Sequence, residues 1–273
     1  MSPIVRTRLL ISVLTAASVV HLSLPFPVLA NSCGDDVGGA RVACACGDTV
    51  VSDTVLRPGD PVVSGRCPGT GLIVRASEFA ETITIDLAGL ALVGSGAGIG
   101  IDVSAGGSDG AVIVGGASDR RGQIVGFGVG LKVRSPRAAR RIQWLELRGQ
   151  RYEGMNLRSA GIVVADVRAT RNGGDGIRIS GQGGRLIGIE SSENAGAGVR
   201  AVSNNLILQA RAQGNREHGL IVSGARNDLR GSSALANRGY GVLLAGRDAR
   251  TEGVVAHDNS LIDIGYRKDR RSR

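Results

Sequence analysis

Residues 172–179 read NGGDGIRI, and the pattern returns as NAGAGVRA at 194–201, NREHGLIV at 215–222 and NRGYGVLL at 237–244. In each copy an asparagine stands four residues before a glycine, and the glycine opens an apolar-x-apolar triplet. Followed in both directions, the glycines are Gly154, Gly176, Gly198, Gly219 and Gly241, with Asp263 closing the series, at intervals of 22, 22, 21, 22 and 22 residues. The asparagines are Asn172, Asn194, Asn215, Asn237 and Asn259, and Gln150 takes that place in the first copy. A fixed short period of this kind marks a solenoid, in which each unit buries its apolar face only by stacking on the next.

A coil of 22 residues is too short for the helix pairs of the common helical repeats and lacks the leucine spacing of a horseshoe solenoid. It accommodates three short strands and three turns. One and three residues after each glycine stand Met155/Leu157, Ile177/Ile179, Val199/Ala201, Leu220/Val222 and Val242/Leu244, a period of two that turns one strand face to a core. A second stripe precedes it at Leu145/Leu147, Val167/Ala169, Ile189/Ser191 and Ala210/Ala212. Stacking at about 4.8 Å makes every column of the alignment a ladder. The outward column Glu146, Arg168, Glu190, Arg211 alternates in sign, and opposite charges on neighbouring strands contribute about 0.2–1 kcal/mol each, which favours this register. The asparagines are expected to adopt left-handed turn conformations and to hydrogen-bond along the stack. Gly198 is expected to hold a backbone conformation closed to β-branched residues. Arg200 points outward in this register, so its removal is expected to cost little.

The chain starts with Arg6 and Arg8 ahead of an apolar run, Leu9 to Val20, and the segment closes on Val28-Leu29-Ala30. This reads as a signal peptide over residues 1–30, cut after Ala30; the run is shorter than the roughly 20 residues a spanning helix needs. Cys33, Cys44, Cys46 and Cys67 follow within a short stretch, an even set that in an exported chain implies disulfides. The one-residue spacing of Cys44 and Cys46 leaves two plausible pairings, of which Cys33–Cys44 with Cys46–Cys67 is favoured. The C-x-C spacing, with no histidine nearby, does not resemble a zinc knuckle, and neither a metal nor a cofactor is expected. The organisation that follows is a disulfide-containing cap with the first coil at 31–69, repeats over 70–266 and a basic tail at 267–273.

The 43 glycines disfavour helices. The net charge of +9 is concentrated in the leader and the tail, leaving about +3 on the body, too even a balance to mark a nucleic-acid partner. Nor does any later segment call for stable insertion into a membrane.

On the repeat block 142–266, with its N-x-x-x-G-I-x-I motif, and on the segment CGDTVVSDTVL…CPGTGLIV…ITIDLAGLALVG between Cys46 and Gly94, the chain resembles the bacterial exported parallel β-helix repeat proteins of the pectate-lyase-like superfamily. The resemblance implies an all-β fold, a right-handed parallel β-helix of about 22 residues per coil. It leaves function open, since that superfamily contains lyases, hydrolases, epimerases and non-catalytic proteins. Galacturonan hydrolases of this fold carry paired aspartates, an NTD motif and a His-Gly motif. Here NGGDG replaces the first motif, Asp35-Asp36 lies in the cap, and His218-Gly219 is the repeat glycine with its predecessor. The DPHE motif of the alginate epimerases is absent.

One column carries chemistry: Glu153, Asp175, Ala197, His218 and Tyr240, immediately before the glycines. Acid, imidazole and phenol are the groups that proton abstraction from a sugar requires, and Arg178 and Arg200 beside them suit a uronate carboxylate. Against catalysis, Asp175 and His218 stand two coil steps apart, roughly 9.6 Å, and turns of such repeats accept these residues for structural reasons. His257-Asp258 reads as a turn pair. Trp144 reads as a covering side chain near Tyr152 and not as a sugar-stacking platform. The function expected is that of a secreted or periplasmic protein that binds an extracellular or cell-envelope polysaccharide, with an acidic polysaccharide as the candidate partner, or serves a structural role, the alternative being a lyase or epimerase on an acidic glycan. Substrate-binding candidates are Asp175, Arg178, Arg200, His218 and Tyr240; catalytic residues and oligomeric state are not assigned.

The cysteine reading is checked by alkylating unreduced exported protein, which should leave all four thiols unmodified. Closure of the Cys46–Cys67 loop contributes on the order of 3 kcal/mol in the chain-entropy model, so reduction should lower the melting temperature by several degrees. Four alkylated cysteines would contradict it.

Overall fold

The computed structural model describes residues 31–74, 82–103, 110–134 and 139–267. The expected leader, residues 1–30, and the tail beyond Arg267 lie outside the described residues. Three parallel sheets wind along one axis. The first has 11 strands, the second and third nine each. A single coil shows the plan: Met155–Leu157 lies in the first sheet, Val163–Ala165 in the second and Arg168–Thr170 in the third, after which Ile177–Ile179 returns to the first. Met155 pairs with Ile177, Ile177 with Val199, Val199 with Leu220 and Leu220 with Val242, which is the register read from the glycines. Coils nearer the N-terminus are longer, since Leu72 pairs with Ile101 and Ile101 with Leu131.

Alternation on each strand delivers the apolar columns to a single interior. Met155, Leu157, Ile177, Ile179, Val199 and Ala201 are fully buried from the first sheet. Val164, Leu186 and Ile207 meet them from the second, and Leu147, Ala169 and Ala212 from the third. Burying each of the larger side chains contributes about 1.5–3 kcal/mol. The charge ladder has the expected partners, Glu146 against Arg168, Arg168 against Glu190 and Glu190 against Arg211. Only Arg168 and Glu190 among these make a short ion pair, at 2.6 Å, while Glu146 lies 4.0 Å from Arg148 on its own strand.

From Trp144 onward each coil bends three times, and each bend uses a residue with positive φ. Between the first and second sheets these include Gly161, Gly183, Asn204, Arg226 and Asp248; between the second and third they include Trp144, Asp166, Gly188 and Gln209. Between the third and first sheets they are Gly149, Arg171, Glu193, Gly214, Ala236 and Asp258. This last column corrects the sequence reading, because the left-handed residue immediately precedes the asparagine. The asparagine is thereby freed for a different task. Gly198 is corrected likewise: its φ is not left-handed, and the constraint is space, since a Cβ there would lie 2.7 Å from the Gly219 carbonyl oxygen and 2.8 Å from Asn215 Nδ2.

The asparagines form a continuous buried ladder. Asn194 Oδ1 accepts from the backbone N–H of Asn172 at 3.0 Å and from Asn172 Nδ2 at 2.9 Å, while Asn194 Nδ2 donates to the Ala169 carbonyl and to Asn215 Oδ1, each at 3.0 Å. Both lone-pair sites and both N–H groups of the amide are therefore used, and the pattern repeats at Asn215 and Asn237. At the start of the ladder Gln150 reaches back one coil, its Oε1 accepting from Phe127 N at 2.7 Å and its Nε2 donating to the Ile124 carbonyl. At the far end Asn259 Nδ2 donates to Asp263 Oδ1 at 2.9 Å, so the residue that breaks the glycine series supplies the acceptor that a further asparagine would have provided. A shorter ladder, absent from the sequence reading, lies on the turn between the first and second sheets, where Asn205 Oδ1 accepts from Gly184 N and Asn227 Oδ1 from Asn205 N.

In the N-terminal segment, Cys33 is joined to Cys44 and Cys46 to Cys67, the favoured pairing. Strands Ser32–Cys33 and Asp48–Val50 already belong to the first sheet, and a four-residue helix, Pro61–Ser64, crosses nearby. The Arg41 guanidinium grips the buried Asp60 carboxylate at 2.7 and 2.8 Å. Asp35 accepts from Arg41 and from Val55 N, and Asp36 accepts from Gly39 N, so the paired aspartates hold the chain's own loops.

Asn194→Ala leaves buried donors and acceptors unpaired on both neighbouring coils and should lower unfolding free energy by about 2–4 kcal/mol in a denaturant titration. Gly198→Ala should lower it by about 1–3 kcal/mol through overpacking. Arg211→Ala, at an exposed strand position, should change it by less than about 0.5 kcal/mol. Similar losses in all three variants would contradict the ladder.

Candidate functional site

The titratable column lies on the turn that leads into the first sheet, and its backbone is stacked in register: Gly154 N donates to the Asp175 carbonyl, Gly176 N to Ala197, Gly198 N to His218 and Gly219 N to Tyr240. Glu153, Asp175, Ala197, His218 and Tyr240 thus occupy successive coils, as expected.

Two side chains of the column do the same structural task. Asp175 Oδ1 accepts from Ala197 N on the following coil, and His218 Nδ1 accepts from Tyr240 N on its following coil, both at 2.9 Å. Each leans over a glycine: a Cβ on Gly196 would lie 2.6 Å from Asp175 Oδ1, and a Cβ on Gly239 would collide with the His218 ring. Asp175 is buried and is further held by Arg200, whose Nε donates to Oδ2 at 2.7 Å and whose Nη2 donates to Oδ1 at 3.2 Å. Arg200 Nη2 also reaches Glu217 Oε2 at 3.3 Å. The hydrogen bond from Asp175 raises the Arg200 pKa further above its ordinary value. Arg200 is therefore no free outward arginine, and the expectation that its loss is nearly neutral is corrected: without it Asp175 is a buried carboxylate with no ionic partner.

His218 is half-buried, and burial is the main cause of its lowered pKa; the Arg200 charge also lowers it, while Glu217 and Asp175 act in the opposite sense. The neutral ring accepts at Nδ1, so the hydrogen-bond network assigns its proton to Nε2. The nitrogen left free is a donor. Tyr240 tilts over the imidazole with centroids 5.3 Å apart and covers Gly265 on the next strand.

Arg178 stands between Asn156 and Arg200 on the outer face of the first sheet, exposed and, among the described residues, in no ion pair. It lines a shallow groove of about 390 Å³ with Glu153, Asp175, Arg200 and Glu217. The structure thus brings Asp175, Arg178 and Arg200 to one groove and places His218 and Tyr240 as a stacked pair on the following coils of the same turn. His257 and Asp258 form an exposed pair of their own, at 2.7 Å. Trp144 is half-buried at a left-handed corner, and Tyr152 is exposed with the Arg151 guanidinium 5.5 Å from its ring centroid. Among the described residues no group of three or more His, Cys, Asp or Glu side chains could hold a metal ion.

A larger groove adjoins the first. It measures about 610 Å³ and includes Arg151, Arg171, Arg216 and Arg238 in its lining. Sequence reading missed it, although a signal existed. Arg151, Arg216 and Arg238 follow the ladder residues Gln150, Asn215 and Asn237 directly, a column hidden by Gly173 and Ala195 in the two coils between.

Residues 139–267 match the family model described as "Right handed beta helix region", and the chain is a right-handed parallel β-helix repeat protein. No curated protein matches the sequence. Among solved structures, a double mutant of the periplasmic alginate epimerase AlgG aligns over 82% of this chain and 74% of its own length, at 15% identity and a TM-score of 0.43. ORF18 of Geobacillus virus E2 aligns over 81% of this chain at 11% identity and a TM-score of 0.31, and tailspike protein 2 of the Escherichia coli O157:H7 bacteriophage CAB120 over 80% at 11% and 0.37. The chain spans 51% of the former and 38% of the latter.

Arg200→Ala should destabilise the fold by about 1–3 kcal/mol, while Arg178→Ala should stay within about 0.5 kcal/mol, both read from chemical denaturation. His218 adds a pH dependence. Its folded pKa lies below the unfolded value of about 6.5, so its contribution is complete above that pH and is lost as the pH falls toward the folded pKa. His218→Asn, which keeps an acceptor for Tyr240 N, should flatten the stability profile below pH 6.5; an unchanged profile would assign the acid limb to other groups.

Proposed function

We propose that the protein is exported and binds an acidic polysaccharide along the turn and outer strand face around Arg178. The observation that carries the reading is the division of labour within the column. Asp175, Arg200 and the Nδ1 face of His218 are committed to holding turns, whereas Arg178 is exposed and, among the described residues, in no ion pair. A guanidinium in that state offers a planar fork to a carboxylate. The His218 Nε2–H is a further donor, fixed in place by the fold, for a sugar hydroxyl. Arg178 and His218 stand on coils two steps apart, roughly 9.6 Å along the axis, which suits a polymer better than a small solute. The two disulfides fit an oxidising compartment, periplasmic or extracellular.

The same tautomer disfavours the lyase or epimerase reading. A general base needs an unprotonated nitrogen facing substrate, and here the unprotonated nitrogen is bonded to Tyr240 N. The reading requires no cofactor and no metal.

Isothermal titration with polygalacturonate, against its fully methyl-esterified form, tests the proposal. Binding should be confined to the charged polymer, weaken with salt, and fall on the order of tenfold in Arg178→Ala. Equal binding of the neutral polymer would overturn the reading. Accumulation of unsaturated sugar, followed by ultraviolet absorbance and abolished in His218→Asn, would replace it with a lyase.

A further inference from the structure

We infer that the groove lined by Arg151, Arg216 and Arg238 is a second anion subsite, which holds the carboxylates or sulfates of an acidic polysaccharide already engaged at Arg178. The inference rests on the reading above that the ligand is an acidic polymer, and it extends the footprint around the turn.

The charge balance separates the two grooves. The groove at Arg178 contains Glu153, Asp175 and Glu217 against two arginines, so its positive charge is wholly offset within the groove. In the larger groove the one carboxylate, Glu193, is taken by Arg171 at 2.7 Å. Arg151, Arg216 and Arg238 are exposed and, among the described residues, none is in an ion pair. Three like charges on one turn repel one another and do not help the fold, yet the ladder behind them fixes their spacing.

That spacing has a shape. Arg216 and Arg238 are one coil step apart, and Arg151 is three steps from Arg216, roughly 14 Å along the axis. Gly173 and Ala195 occupy the intervening coils and line the groove. Gly173 is held to glycine by the Arg151 carbonyl, with which any Cβ would collide, so this low stretch between the arginines is fixed by the backbone. Gly173 and Ala195 also line the groove at Arg178, which makes the two grooves continuous. A polymer bearing an anion on each sugar, lying along the axis, could meet Arg151 at one end and Arg216 with Arg238 at the other. A nucleic acid fits less well: among the described residues no aromatic side chain lines this groove, and single strands are bound on stacking platforms.

The test uses the whole exported chain, with polygalacturonate and dextran sulfate as acidic probes and dextran as the neutral one. Arg151→Ala, Arg216→Ala and Arg238→Ala are combined and compared with Arg178→Ala and with a control removing Arg185, Arg211 and Arg247, which line neither groove. Thermal melts establish that each variant is folded. The groove triple should lose on the order of 10–100-fold in affinity for both acidic probes and show a shallower salt dependence, while the control triple stays within about twofold of wild type. An equal loss in the control triple would reduce the effect to net charge and overturn the inference. Wild-type affinity in the groove triple with a loss in Arg178→Ala would overturn the subsite but keep the proposed function. Absence of binding to either acidic probe by the wild type would end both, and tighter binding of single-stranded DNA than of polygalacturonate would reassign the groove.

Discussion

A carboxamide that bonds to its copies on the coils before and after it is the interaction on which the rest of this structure depends. On the turn into the first sheet most backbone N–H groups still pair with a carbonyl of a neighbouring coil, but the buried N–H of each ladder residue has no backbone acceptor. Asn172, Asn194, Asn215 and Asn237 supply that acceptor to the coil before, and their Nδ2 groups donate to the coils on both sides. Because the amide needs a copy of itself one coil away, the spacing cannot drift far from 22 residues. The glycine four positions later is a consequence, since its missing Cβ admits the next asparagine's Nδ2 and the next coil's carbonyl.

The same constraint decides what the outer residues are free to do. Asp175 and His218 look like catalytic groups in a list of residues, but in the stack they mirror the asparagines: each asparagine accepts a backbone N–H from the coil before it, and Asp175 and His218 accept one from the coil after. Arg200 compensates the buried charge that Asp175 brings. In the function proposed above, the ligand is met by groups that the stack positions without using, chiefly Arg178 and the arginines that follow the ladder residues, none of which is in an ion pair among the described residues.

Much of the fold was legible in the sequence. The glycines and the apolar pairs defined the strands and their register, and the alternating charges at Glu146, Arg168, Glu190 and Arg211 agreed with it. Less legible were the reasons behind individual positions. Gly198 was read as a matter of φ, when an inward Cβ is excluded by the neighbouring coil, and left-handed φ was assigned to the asparagines, when Arg171, Glu193 and Ala236 carry it. Sequence columns show which residue types recur but not which side chain folds over the next coil. That is why Arg200 looked free and why Arg151, Arg216 and Arg238, interrupted by two small residues, did not look like a set. The second ladder at Asn205 and Asn227 was hidden because its column holds only two asparagines.

Native-state hydrogen exchange tests the ladder most directly, through backbone amides bonded to a side chain on the next coil. The amides of Asn172, Asn194 and Asn215 donate to asparagine Oδ1 atoms at 3.0–3.1 Å and should exchange only by global unfolding, as slowly as the buried strand amides of Ile177 and Val199. Exchange of these three amides at the rate of an exposed turn, while Ile177 and Val199 stay protected, would contradict the ladder as the constraint that sets the fold.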